Sequence, residues 1–516
     1  MILEELFGSC VALVSRLIIQ TPPISRENLQ REYTLISVPN REQDEVYDGL
    51  IHREYEQEVP FYEDGTFVRM QADPTRNFCE SLIRSLKANV GLITAVVFVL
   101  GSLTVGVVYV DLNSNDACIE WMHKNVSIPA HVRTLRIVGM SVKLLPLFSC
   151  FPACIALLWG FREFKKNYLT RLFFCAFVPG SITCVYRIIM FDKFTNVDYN
   201  LYRLPSNLLF MFSIVCGAYS VARKFKKVNP ATSYSVFRII FILSSAFLGA
   251  CLFSFIYTFI IIKYFRKTEG KIKKAIIAAL TPGIVFPLTA FVKYIILRKS
   301  SEIITPDRAF VLCYFLRGAT IVLYRTMQSG FQDIWLFVGL SLLHGISNVL
   351  SKATLNVRIK LWRFFIKYIN RICCGPRLEV QPLNSPRIRR FNADLEIQNI
   401  LFEYATVILS QAYLACYLVM SYDVPSWQVI RASLIRVAIS LAIDFAFNIV
   451  SLFIQIHFYD IPIQKIWTKY WGRHVFANAF MIIVFVAYFG SVLVRVFADN
   501  NNTLEEHKLK NCTTLF

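Results

Sequence analysis

VIRASLIRVAISLAIDFAFNIVSLFIQ, Val429 to Gln455, is the tenth of eleven apolar stretches in this chain. Its reading decides the fold. As a helix it is long enough to cross a bilayer core of roughly 30 Å. Arg436, Ser440, Asp444 and Asn448 recur in it at four-residue spacing, and Ser451 and Gln455 continue the series. At roughly 100° per residue these six fall within an arc of about 120°. In a lipid-embedded helix such residues face protein or water rather than acyl chains. The stretch reads as a membrane helix with one polar, inward face.

The other stretches are 90–110, 144–160, 172–191, 207–222, 239–262, 275–297, 309–324, 331–350, 399–420 and 475–497. The 516 residues are 55% hydrophobic, against about 45–50% in ordinary soluble chains. The expected fold is an all-α polytopic integral membrane protein of about eleven transmembrane helices, within bounds of nine to twelve. The fourth and seventh stretches are short, and the seventh contains Arg317.

Lys and Arg concentrate on the cytoplasmic side of membrane proteins. They cluster in 161–171, in 223–238 and in 351–398, which holds ten. Sequons at Asn125, Asn501 and Asn511 mark the opposite side. Counted across the stretches, both signals place the N-terminus in the cytoplasm and the C-terminus outside. The basic loop 263–274 disagrees: either the fifth or sixth stretch is re-entrant or the loop is an external basic site, and a local error in the spans around it is the favoured reading.

Five segments follow. Residues 1–87 form an acidic cytoplasmic region with 9 Lys/Arg and 15 Asp/Glu, opening on an amphipathic helix over 1–20 rather than a cleavable signal. Residues 88–350 make an eight-span unit, 351–398 a basic amphipathic helix (Val357 to Ile372) and linker, 399–497 a three-span unit, and 498–516 an external glycosylatable tail. The net charge of +20 is read as topology, facing the bilayer and its anionic inner-leaflet lipids, and not as nucleic-acid binding. Tyr33 and Tyr47 head tyrosine-x-x-bulky motifs of the kind cytosolic adaptors bind. Cys118 and Cys512, placed outside, are expected to form a disulfide. Cys373 and Cys374, at the membrane edge, are candidates for lipidation. No residue spacing suggests a metal or a cofactor.

Ionisable residues inside spans each cost about 3 kcal/mol or more unless paired or hydrated. They are Arg187, Lys293, Arg317, His344, Glu403, Arg431, Arg436 and Asp444. Arg317 and Asp444 lie at matching depths and are expected to pair. Two stretches carry Pro-Gly interruptions, Pro179-Gly180 and Pro282-Gly283, the second followed by Pro287. Paired broken helices are a feature of transporter sites.

The expected function is passage of a polar or anionic solute, or of lipid headgroups, along a path lined by the stripe of Arg436 to Gln455 with Arg317, Glu403, Gln411 and Arg187. An alternative is a lipid-modifying enzyme using His344. Another is a non-catalytic receptor or assembly subunit, with oligomers open in either case. The expected location is the plasma membrane or the secretory and endosomal membranes.

Overall fold

The computed structural model describes residues 77–113, 130–193, 199–299, 303–357 and 386–498, apart from positions 231, 306, 332 and 423, with a few positions between 360 and 371. Tyr33, Tyr47, Cys118, Asn125, Cys373, Cys374, Asn501, Asn511 and Cys512 lie outside the described residues, so the sorting, glycosylation, disulfide and lipidation expectations fall there.

The described chain is all-helical. Its helices are α1 (Phe78–Asn113), α2 (Ala130–Trp159), the short α3 (Phe161–Asn167), α4 (Leu169–Lys193), α5 (Tyr199–Val228), α6 (Val236–Lys267), α7 (Lys271–Lys299), α8 (Phe310–Ser329), α9 (Ile334–Ala353), α10 (Pro386–Ser421), α11 (Ser426–Tyr459) and α12 (Ile463–Ala498). Ten of them are long and apolar enough to cross a membrane, and the chain is a multi-pass membrane protein. α7 occupies the sixth predicted stretch and stands outside the ten. It carries lysines near both ends, Lys271, Lys273 and Lys274 at one and Lys293 and Lys299 at the other.

Several boundaries move outward from the sequence reading. α1 begins at Phe78, inside the segment assigned to the acidic N-terminal region. α8 runs to Ser329, five residues past its predicted end, and so carries Arg325 and Gln328. α10 starts at Pro386 in what reads as linker, because proline fits the first helical turn, where no amide donor is required. The segment 458–474, between the tenth and eleventh apolar stretches, is mostly the start of α12. Only Asp460, Ile461 and Pro462 separate α11 from α12, with Asp460 in the left-handed region at φ 50°. The Arg389 guanidinium holds both the carboxylate and the backbone carbonyl of Asp460.

α10 is the centre of the bundle. It packs against α1, α8, α11 and α12, and from Ile388 to Gln411 nearly every side chain is buried. α9 lies on α11, where Gly345 leaves room for the Phe447 ring. α6 and α7 cover α8, while α2, α4 and α5 form a further layer. The last three helices thus pack directly on α1, α8 and α9.

The expected breaks at Pro179-Gly180 and Pro282-Gly283 are absent: α4 and α7 stay helical through these positions and through Pro287. A helical proline leaves the carbonyl four residues earlier without its donor. At Pro179 that carbonyl belongs to Cys175, and Ser213 Oγ of α5 donates to it at 2.8 Å. A neighbouring hydroxyl therefore repairs the helix, as membrane proteins require in the absence of water. Gly180 meanwhile lets the Phe148 ring approach the backbone. Irregular turns occur elsewhere, as π-helical widenings at Val96–Leu100 and Tyr257–Ile261.

Candidate functional site

The polar stripe of α11 is turned inward. Ser440, Asp444, Asn448, Ser451 and Gln455 are buried, whereas Leu434, Ile435 and Val450 are exposed at the bundle surface. The stripe meets polar stripes on three other helices. On α10, Asn392, Glu396, Asn399, Glu403, Thr406 and Ser410 recur at alternating steps of four and three, which confines them to an arc of about 80°. α8 contributes Arg317, Tyr324, Arg325 and Gln328, and α9 contributes Ser341, His344, Asn348 and Lys352.

Contacts run continuously along this interior. Arg436 Nη1 donates to the Phe331 carbonyl at 3.1 Å. Ser440 and Ser341 share a hydrogen bond of 3.3 Å, and Gln328 Nε2 donates to Ser341 Oγ at 2.6 Å and to the Phe337 carbonyl at 2.8 Å. Arg325 Nη1 donates to Gln328 Oε1 at 2.9 Å, and its Nη2 to Asp444 Oδ2 at 2.5 Å. Ser329 Oγ donates to Ser410 Oγ at 2.8 Å and accepts from Gln411 Nε2 at 3.0 Å. Deeper along α10, Glu403 Oε1 lies 3.6 Å from His344 Nε2, an ion-pair separation longer than a hydrogen bond. The His344 ring stacks on Tyr324. Lastly, Glu396 accepts from Lys352 Nζ at 2.5 Å, from Gln455 Nε2 at 2.8 Å and from Ser451 Oγ at 3.4 Å.

The expected Arg317–Asp444 pair is not formed: Asp444 is held by Arg325, which the sequence reading placed beyond the end of its helix. Arg325 lies two turns beyond Arg317 and reaches Asp444 from the buried side of α8. Arg317 stands apart. Of the twenty residues of α8, it alone is not buried. It makes no side-chain hydrogen bond or ion pair with the described residues, although Glu396 and Glu403 are within electrostatic reach. Arg187 does not join this interior; its Nε lies 3.4 Å from Ser206 Oγ between α4 and α5. Sequence reasoning found no carboxylate partner for His344; Glu403 of α10 is beside it.

Two further polar clusters flank α10 on its other faces. His474 is fully buried between Asp394, 3.1 Å from Nε2, and Gln398, 2.8 Å from Nδ1, and Asn478 Nδ2 donates to Gln398 Oε1 at 2.7 Å. Arg390 and Arg473 close this cluster over Asp394, and Arg473 also reaches Asp307 at 2.9 Å. At the other end, Asp111 pairs with Lys143 at 2.7 Å and accepts from the Tyr413 hydroxyl at 2.8 Å. Both clusters tie helices together, although Arg390 Nη2, Arg473 Nε and Asn478 Oδ1 in the first of them have no hydrogen-bond partner among the described residues. In the α8–α11 interior, both amide atoms of Asn399, the Oε1 of Gln411 and the Nδ2 of Asn448 are likewise buried without a hydrogen-bond partner among the described residues. No group of three or more His, Cys, Asp or Glu side chains among the described residues has the arrangement of a metal site.

No protein-family model, curated protein or solved structure matches the chain.

Proposed function

We propose that this protein passes a polar, preferentially anionic solute across its membrane through the interior bounded by α8, α9, α10 and α11. The observation that carries this reading is the inward stripe of α11. From Arg436 to Gln455 it covers nineteen residue steps, about 29 Å at 1.5 Å per residue, close to the full hydrocarbon thickness. A network that only fixed helix register would need one or two polar layers. Here Arg317, Arg325, Lys352 and Arg436 outnumber Glu396, Glu403 and Asp444, which favours an anion. The test is reaction of single cysteines with a membrane-impermeant thiol reagent, in a chain depleted of its own cysteines. Cysteines at Ser440, Asn448 and Ser451 react while those at Leu434 and Val450, facing lipid, do not. Unreactive stripe positions would sink the reading.

The His344–Glu403 pair favours a second reading, a lipid-modifying enzyme in which the imidazole acts as general base. This reading requires a product from phosphatidylcholine and phosphatidylethanolamine vesicles that His344→Gln abolishes while stripe labelling is unchanged. The proposed setting is the plasma membrane or the secretory and endosomal membranes, N-terminus in the cytoplasm and C-terminus outside. Glycosidase-sensitive glycans on Asn125, Asn501 or Asn511 support that orientation, and a tail reached by protease only from the cytoplasm contradicts it.

A further inference from the structure

Arg317 makes no hydrogen bond or ion pair with the described residues, though Glu396 and Glu403 feel its charge, and it is partly accessible on a helix that is otherwise buried. Its surroundings follow from the hairpin of α8 and α9. Gln328 bonds to Phe337 and Ser341, and Tyr324 donates to the Leu340 carbonyl at 2.7 Å and stacks on His344. His344 at Glu403 and Lys352 at Glu396 bracket Asn348 on one face of α9, and both carboxylates feel the charge of Arg317, so Arg317 and this face of α9 border the same stretch of α10. Asn348 is likewise partly accessible, and its amide makes no hydrogen bond with the described residues. Lys352 Nζ is held at Glu396, and Lys293 Nζ of α7 lies 3.4 Å from Asn392 Oδ1, so this end of the interior is bordered by two more cations.

We propose that Arg317 and Asn348, with Lys352 beside them, form a binding site for an oxyanion, a carboxylate or phosphate group carried by the solute. The inference rests on the transport reading and names its substrate class. A guanidinium presents a rigid fork of donors that matches two oxygens of a carboxylate or phosphate, and the Asn348 amide adds neutral donors. Glu396 and Glu403, already engaged by Lys352 and His344, do not satisfy Arg317 themselves. Their negative charge keeps the site from holding an anion too tightly to release it. The same chemistry would come from a free anion or from the headgroup of an anionic phospholipid.

The experiment uses the full chain in phospholipid-free micelles. Modification of arginines by phenylglyoxal is followed residue by residue with mass spectrometry, in buffer alone, with inorganic phosphate, with acetate, or with phosphatidic acid added. Arg317 reacts in the folded protein, and one or more of the anions slows its reaction about tenfold, equivalent to a site mostly occupied. Arg84, exposed on α1, serves as the reference and keeps its rate. Protection by phosphate or acetate identifies a free anion as the source; protection by phosphatidic acid alone identifies a headgroup. Asn348→Leu weakens the protection. An Arg317 that never reacts in the folded protein, that reacts equally under all four conditions, or that slows only in step with Arg84 overturns the site. Protection at Arg317 with unreactive α11 cysteines would instead leave the site standing and remove the transport reading.

Discussion

Arg325 donates to Asp444 at 2.5 Å with both side chains sealed between α8 and α11, and its other terminal nitrogen is held by Gln328. Two charges so far from water are tolerable only together, since either one alone keeps its desolvation cost without its counter-charge. Arg325→Ala or Asp444→Ala alone is expected to lower stability by about 3–5 kcal/mol. Arg325→Met combined with Asp444→Leu, which removes both charges and keeps volume, is expected to lose less than either single change. Thermal melts of the single and double variants in one detergent check this. Losses that add would mean that the two side chains are not energetically coupled.

The repair at Pro179 makes a different kind of coupling. Ser213→Ala strips the Cys175 carbonyl of its donor and is expected to cost about 1 kcal/mol. Pro179→Ala restores the backbone N–H that reaches Cys175, so Ser213→Ala in that background is expected to be nearly silent. Equal losses from Ser213→Ala in both backgrounds would show that the hydroxyl is not what completes the helix.

Much of this architecture is legible in sequence because hydrophobic length fixes membrane helices. The α11 stripe was legible too, since its residues sit at i, i+4 spacing in an otherwise apolar run. The matching stripe on α10 has an equally regular signal, 392, 396, 399, 403, 406 and 410, but its first half lies before the apolar window begins. Hydropathy therefore cut the helix short at residue 399 and hid Glu396. The same cause hid Arg325: the apolar window ended at 324, one residue before the partner of Asp444. Prolines misled for the opposite reason. A Pro-Gly pair read along one chain breaks a helix, whereas Ser213, remote in sequence, supplies what Pro179 lacks.

Asp307, in the segment between α7 and α8 and outside the candidate spans, joins that segment to α12 through Arg473 at 2.9 Å. Burial works against its charge, but Arg473, then a hydrogen bond from Thr305, then Arg308 outweigh it and hold the carboxyl below its ordinary value. A depressed folded value means that the contact stabilises the protein above the unfolded carboxyl value, about 4. That contribution fades as pH falls through the lower, folded value. Asp307→Asn is therefore expected to melt earlier than the native chain at pH 7, with the gap closing in acid. A gap that stays constant from neutral to acidic pH would rule out the charged contact as its source.

Asn399 offers a test of the proposed path. It is 2% exposed, lies on the α10 stripe between Glu396 and Glu403, and neither amide atom has a partner among the described residues. A buried amide without partners costs free energy that an apolar side chain of similar volume does not. Asn399→Leu is thus expected to raise stability by about 1 kcal/mol. If the interior carries water and solute, the same change removes a polar foothold midway along the path. Thiol reactivity at Asn448 and Ser451 is then expected to fall although the protein melts later, the usual cost of stabilising a functional site. A variant that melts earlier would mean that the amide is satisfied in the working protein. One that melts later with unchanged reactivity would place the solute path away from α10.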